Sequence, residues 1–235
     1  MKKIFLLLLA FYPIINCYTQ TSQDYCNKGN IKAKLQDFKG AIADFSEAIL
    51  IDSNNAEAYN NRGSAKSDLQ ESQGAIEDFS KAIEIDPNYR IAYKNRGTEK
   101  AKLHDYRGAI ADFNKEIEID PNDDYAYTNR GSAKFELQDN RGTIEDYNKA
   151  IEIDPNYANS YKNRALAKAK LEDYRGAIED YSKAIEIDSK DGSSYYYIGI
   201  AKIILKQKDS GCLDLSKAGE LGEEGAYEAI KKFCN

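Results

Sequence analysis

Five asparagines, Asn27, Asn61, Asn95, Asn129 and Asn163, recur at steps of 34 residues in a chain of 235. A carboxamide both donates and accepts hydrogen bonds, so a row of them can hold a polypeptide backbone without reading its side chains. Asparagine is also a poor residue for a helix interior, so five at one register need a reason. A second set carries charge. Arg62, Arg96, Arg130 and Arg164 keep the same step, as do Asp44, Asp78, Asp112, Asp146, Asp180 and Asp214. These suit a ladder of partly buried ion pairs, with Asp78 meeting either Arg62 of its own unit or Arg96 of the next; a solvated charged seam is the plainer alternative. Ile198 replaces Arg in the last unit, so the ladder is expected to end there although Asp214 remains.

No set of residues suited to catalysis accompanies them. The single histidine, His104, falls in a turn between two helical patterns, where solvation is expected. There is no Ser-His-Asp grouping, no glycine-rich phosphate loop after a strand and no metal-ligand spacing. Neighbouring acids such as Glu77 and Asp78 suit a helix surface. The expectation is a protein that is not an enzyme and carries no cofactor or metal. The 39 acidic and 33 basic side chains, net −6, are interspersed, which excludes the basic stripe that nucleic acid requires. At 42% hydrophobic residues the chain is too apolar to be disordered.

The cysteines, Cys17, Cys26, Cys212 and Cys234, match no zinc motif. Cys212 and Cys234 lie on segments that can meet, and a disulfide is open to them in an oxidising compartment. The preferred reading is a buried thiol and a tail thiol. The first 19 residues differ in kind: Met1-Lys2-Lys3, an apolar run from Ile4 to Ile15 broken by Tyr12 and Pro13, and a polar exit at Asn16. This reads as an export leader, too short to span a membrane. Cys17 sits where a lipoprotein cysteine would be acylated, and plain cleavage near Thr19 is the alternative. The expected location is the periplasm or cell envelope, with membrane attachment only through a lipid at Cys17.

These chemical groups must be held by helices. Tyr25, Tyr59, Tyr93, Tyr127, Tyr161 and Tyr195 and the leucines from Leu35 to Leu205 repeat at 34 residues without insertion, defining six units over 22–225. Within the second unit, Ala58, Tyr59, Arg62, Gly63, Lys66 and Leu69 fall at helical spacing. A second pattern follows, Ala75, Ile76, Phe79, Ala82, Ile83 and Ile85, ended by Asp86-Pro87-Asn88. Each unit is therefore an antiparallel helix pair, with Gly63 and Ala75 allowing close approach beside Phe79 and Tyr59. One pair cannot bury its apolar face alone, so neighbours must cover it. Residues 226–235 read as a capping helix whose Tyr227, Ile230 and Phe233 cover the sixth unit. The sixth unit's first helix is apolar nearly all round, and the cap, a partner or a second copy of the chain is expected to cover it.

The residues Tyr59, Gly63, Ala75, Phe79, Ala82 and Pro87 resemble the signature of the tetratricopeptide repeat, and the third and fourth units match comparably. The resemblance implies an all-α, right-handed solenoid of six helix-turn-helix repeats with a concave groove lined by the first helix of each pair. Two regular departures mark a subtype: Lys28 and the four arginines stand where Leu is usual, and Lys32, Lys66, Lys100, Lys134, Lys168 and Lys202 where Tyr is usual. The resemblance places Asn27, Asn61, Asn95, Asn129 and Asn163 on the groove, like the asparagine ladder of some long members of the family. Their neighbours Lys94, Lys162, Ile91 and Tyr125 would suit a peptide with some acidic and some apolar residues. The carboxylate clamp of chaperone-binding relatives is ruled out, because Thr98, Asn159 and Asn163 stand at its required positions. The implied partner is a protein or peptide. Helix-helix or water contacts of the asparagines, and self-association through the sixth unit, are the alternatives.

Overall fold

The computed structural model describes residues 20–235; the leader with Cys17 lies outside the described residues. The described chain is helical throughout: α1 Ser22–Lys34, α2 Phe38–Ile51, α3 Ala56–Asp68, α4 Ser72–Ile85, α5 Arg90–Lys102, α6 Tyr106–Ile119, α7 Asp124–Glu136, α8 Asn140–Ile153, α9 Ala158–Lys170, α10 Tyr174–Ile187, α11 Gly192–Ile204, α12 Lys208–Glu220 and α13 Gly225–Phe233. Each odd helix from α1 to α11 packs on the even helix after it, and each even helix from α2 to α10 on the odd helix that opens the next unit. The odd helices from α1 to α9 also touch in sequence, so they form one layer and the even helices another. This is an α-solenoid of six helix pairs, with α13 laid on α12 and α11.

The turn inside each unit is the same six times. Gln36, Gln70, His104, Gln138, Glu172 and Lys206 all take the left-handed conformation, with φ between 62° and 64°. The Asp37 amide then donates to the Lys32 carbonyl and the Gln36 amide to the Ala33 carbonyl, each at 2.9 Å, which satisfies carbonyls that the helix end leaves open. Asp37, Asp105, Asp139 and Asp173 start the second helix by accepting from the amides of Gly40, Gly108, Gly142 and Gly176. A left-handed residue other than glycine costs about 1 kcal/mol, and the two bonds of the turn offset it. His104 is exposed as expected, its Nδ1 2.8 Å from the Tyr106 hydroxyl.

Close approach of the paired helices rests on the small residues. A Cβ added to Gly63 would lie 2.7 Å from the Phe79 ring and 3.2 Å from the Ala75 carbonyl oxygen. Phe45, Phe79, Phe113, Tyr147 and Tyr181 occupy the same place in successive units, and all are buried.

Beside this seam runs the ion ladder, and its partner is in the same unit. Arg62 donates through Nε and Nη2 to the two oxygens of Asp78, at 2.9 and 2.6 Å. Arg96–Asp112, Arg130–Asp146 and Arg164–Asp180 repeat the fork. The remaining nitrogen, Nη1, reaches back to the preceding even helix: Ser46, Ser80, Asn114 and Asn148 accept it in turn. Each guanidinium also lies 5.4–5.7 Å from the ring of the repeat tyrosine three residues earlier. The lysine four residues later completes the cluster, as Lys66 does at 2.8 Å from Asp78. The ladder does not end where Arg is lost. Lys202 holds Asp214 at 2.6 Å in the sixth unit and Lys32 holds Asp44 at 2.6 Å in the first, because the lysine alone reaches the carboxylate.

One expectation for the C-terminus is corrected. Cys212 and Cys234 are not free thiols; they form a disulfide with Cα atoms 5.8 Å apart, because α13 folds back and brings the end of the chain to α12. In the cap, Ala226 and Ala229 are buried and Ile230 and Phe233 half-buried, while Tyr227, 64% exposed, lays its ring against the buried Gly219 of α12. A nine-residue helix is marginal on its own, and the disulfide ties it to α12.

Double-mutant cycles test the ladder: Arg96 with Asp112 should show coupling of roughly 2 kcal/mol and Arg96 with Asp78 close to none. Reducing the disulfide, or deleting 226–235, should lower the melting temperature and solubility, closing a loop of this length being worth about 3 kcal/mol. An unchanged melting curve with monodisperse behaviour would show the cap to be dispensable.

Candidate functional site

The odd-helix layer carries the asparagine row, and the structure divides it. Asn95 Nδ2 donates to Asn60 Oδ1, Asn60 Nδ2 to Asn61 Oδ1, and Asn61 Nδ2 to Asn30 Oδ1, each at 3.1 Å. This amide chain crosses the first three units, so Asn61 and Asn95 spend donors on neighbouring helices. Asn27 is exposed and accepts from Gln23 at 3.3 Å. Asn129 makes no side-chain hydrogen bond among the described residues, and Asn163 stands beside the buried Tyr147 hydroxyl, 2.8 Å from Ser132 Oγ. Burial raises the Tyr147 pKa, against hydrogen bonds with Ser132 and Asn163.

A cleft opens between each pair of neighbouring odd helices from α3 to α11. The α3/α5 cleft holds Asn95 with Ser64, Ser67 and Thr98, and the α5/α7 cleft holds Asn129 with Ser132. The α7/α9 cleft holds Asn163 with Phe135 and Leu166. In the α9/α11 cleft Tyr197 takes the asparagine register, with Leu166, Ile200 and Ile204 around it. Its ring stacks on Tyr181 at 5.4 Å. One register thus reads Ser64, Thr98, Ser132, Leu166 and Ile200 along the layer: the face is polar at its N-terminal end and apolar at its C-terminal end. The cap does not fully cover α11, since Tyr197 and Ile204 stay exposed in this last cleft.

The expected neighbours are only partly available. Lys94 Nζ lies 5.2 Å from the Tyr125 ring, which is 52% exposed. Ile91 is also exposed. Lys162 is not a free cation: it pairs at 3.0 Å with Asp191, the N-cap residue of α11. Burial pushes the Asp191 carboxyl up, but hydrogen bonds from Ser193, Ser194 and Lys162 bring it below the usual range. The spacing alone did not mark the charged register on this face, Lys34, Asp68, Lys102, Glu136 and Lys170, which alternates in sign from unit to unit and ends at Ile204.

Two acids interrupt the alanine registers, and both fall in the third unit. Glu99 stands where Ala65, Ala133, Ala167 and Ala201 stand elsewhere, and Glu116 where Ala48, Ala82, Ala150, Ala184 and Ala218 stand. Glu116 is fully buried, neither oxygen has a hydrogen-bond partner, and Arg90 is 3.7 Å away, itself bonded to Asp123. Desolvation, helped by the Asp123 charge against Lys94 and Arg90, pushes its pKa up to about 7. Among the described residues no group of His, Cys, Asp and Glu is placed to hold a metal ion, and no helix is long and apolar enough to cross a membrane.

Stacked helix pairs with a cleft at each junction define a helical-repeat scaffold whose surface is built for contact with another chain. Two tetratricopeptide repeat profiles, described as Tetratricopeptide repeat and TPR repeat, match residues 56–89 and 158–191, and 29–70 and 131–172. The chain belongs to the tetratricopeptide repeat family. Among solved structures it resembles the MamA protein at 26% identity, over 73% of this chain and 94% of that one, with a TM-score of 0.69. It is similar to YrrB, described as a TPR protein with an unusual peptide-binding site, at 20% identity, 80% and 97% coverage and a TM-score of 0.71. It also resembles the C-terminal part of a TPR repeat-containing protein from Cytophaga hutchinsonii, at 18% identity, 91% and 89% coverage and a TM-score of 0.78. No curated protein sequence matches the chain.

The Glu116 shift has a definite sign. The folded state keeps the proton between the unfolded pKa of 4.5 and about pH 7, so the stability this proton brings is full below 4.5 and lost as pH rises through 7. Glu116→Ala, the residue of the other five units, should stabilise the chain by roughly 2 kcal/mol at pH 8 and much less at pH 5. Denaturant melts at the two pH values check this, and an equal gain at both would refute the assignment.

Proposed function

We propose that the chain is a non-enzymatic adaptor of the bacterial cell envelope that captures an extended segment of another protein along its odd-helix face. The observation that carries this reading is the row of open clefts with Asn129 unengaged and Asn163 at the cleft wall. A preformed helical layer loses little freedom on binding, which favours capture of a flexible segment. Asn129 and Asn163 would hold the backbone, while Asn61 and Asn95 would exchange amide-amide bonds for bonds to the ligand. Lys94 and Tyr125 flank the path. The peptide-binding site named for YrrB supports the reading on a related fold. Two features favour export: the leader composition of residues 1–19 and the Cys212–Cys234 disulfide, a bond that persists in oxidising compartments.

Self-assembly through the sixth unit is the second reading, favoured by the exposure of Tyr197 and Ile204. One experiment separates them. The chain and a variant with Asn129→Ala and Asn163→Ala serve as parallel baits in envelope extract, after circular dichroism confirms that both are folded. A protein retained by the unaltered bait and lost at least five-fold by the variant is the expected result. Equal capture would move the interface off the asparagine row, and recovery of the chain alone would make self-assembly the function.

A further inference from the structure

The α3/α5 cleft has a volume of about 310 Å³, and its wall contains a carboxylate that packing does not require. Glu99 is 2% exposed, at a register where four other units do with alanine. Its Oε1 accepts from Ser67 at 2.5 Å and Lys102 at 2.6 Å. Its Oε2 is buried and has no hydrogen-bond partner. Burial raises its pKa, yet hydrogen bonds from Lys102 and Ser67, with the Ser72 hydroxyl nearby, outweigh this and hold the carboxyl below the usual range. It is therefore an ionised acceptor with an unused oxygen, a costly arrangement in a folded protein unless a donor arrives.

The charges around the cleft favour a cationic donor. Four charged groups line it: Asp68, Glu99, Lys94 and Lys102. Lys102 is committed to Glu99 Oε1, and Lys94 turns to the Tyr125 ring. Asp68 is exposed and has no ion pair among the described residues. The acceptors without a partner are thus the Asp68 carboxylate and Glu99 Oε2; Lys94 makes no ion pair among the described residues either but lies over the Tyr125 ring, and the hydroxyls of Ser64 and Thr98 also line the cleft.

We propose that the α3/α5 cleft is a subsite for a basic side chain, an arginine or lysine of the bound segment, whose N–H donors are taken by Glu99 and Asp68. This rests on the odd-helix face being the binding groove. It gives the captured segment a chemistry: a cationic residue over the polar second and third units, leading toward the apolar α9/α11 cleft.

The test uses ¹⁵N-labelled chain titrated with three probes: the blocked pentapeptide acetyl-Gly-Gly-Arg-Gly-Gly-amide, its citrulline analogue, and spermidine. The expected result is saturable shifts of the Ser64, Ser67 and Thr98 amides with the arginine peptide and at least five-fold weaker binding of the citrulline peptide. Glu99→Ala, which restores the residue of four other units, and Glu99→Gln, which keeps the shape, should each weaken the arginine peptide at least five-fold. Equal binding of arginine and citrulline, no shifts with any probe, or undiminished binding by both variants would overturn the subsite. Spermidine binding more tightly than the arginine peptide, with the same dependence on Glu99, would assign the cleft to a free polyamine and overturn the side-chain proposal. Failure of the envelope capture experiment would leave these titrations unaffected, so the groove reading and the subsite fail separately.

Discussion

The arginine–aspartate fork of units two to five is the constraint on which the rest of the array depends. It joins the two helices of a unit with two bonds in one plane, so neither helix can slide or rotate without breaking both. Its third nitrogen reaches the preceding even helix, so the same guanidinium sets the spacing between units. The tyrosine ring beneath and the lysine beside it finish the coordination of both charges. A buried pair of this kind adds little net stability over an apolar pair of the same shape, but losing one partner strands the other. What the cluster supplies is register, held from unit to unit by the same atoms.

A fixed register matters because the odd-helix face is a comparison between units. Six copies of one helix lie side by side, and each position across them becomes a row. Where the row is constant, as with the asparagines of units one to five, the face offers the same group at regular intervals. Where it changes, as from Ser64 to Ile200, the face acquires direction. The amide chain from Asn95 to Asn30 adds a second asymmetry, because it ties up the N-terminal carboxamides and leaves Asn129 unengaged. The repeat supplies the frame, and departures from it supply the chemistry.

The same distinction explains what could be read from the residues. Periodicity located the helix pairs and the Gly63–Phe79 approach, since both follow from spacing and side-chain size. It located the arginine and aspartate rows but not their pairing, because 16 residues along the chain and 18 to the next unit are equally plausible until the helices are placed. The lysine's part in each cluster was hidden for the same reason. The disulfide stood as the less favoured of two readings because it depends on the return of α13. The left-handed glutamines carry no glycine to signal them. Glu99 and Glu116 look like ordinary helix-surface acids until the units are aligned, and only then stand out against alanine.

Glu116 has a consequence for the mechanics of the whole array. A stack of repeats holds together through nearest-neighbour coupling, and a break forms where that coupling is weakest. The third unit buries a carboxylate that no hydrogen bond relieves, in the middle of an otherwise uniform stack. The third unit is therefore the place in the stack where burial costs most once the carboxyl is ionised, above about pH 7.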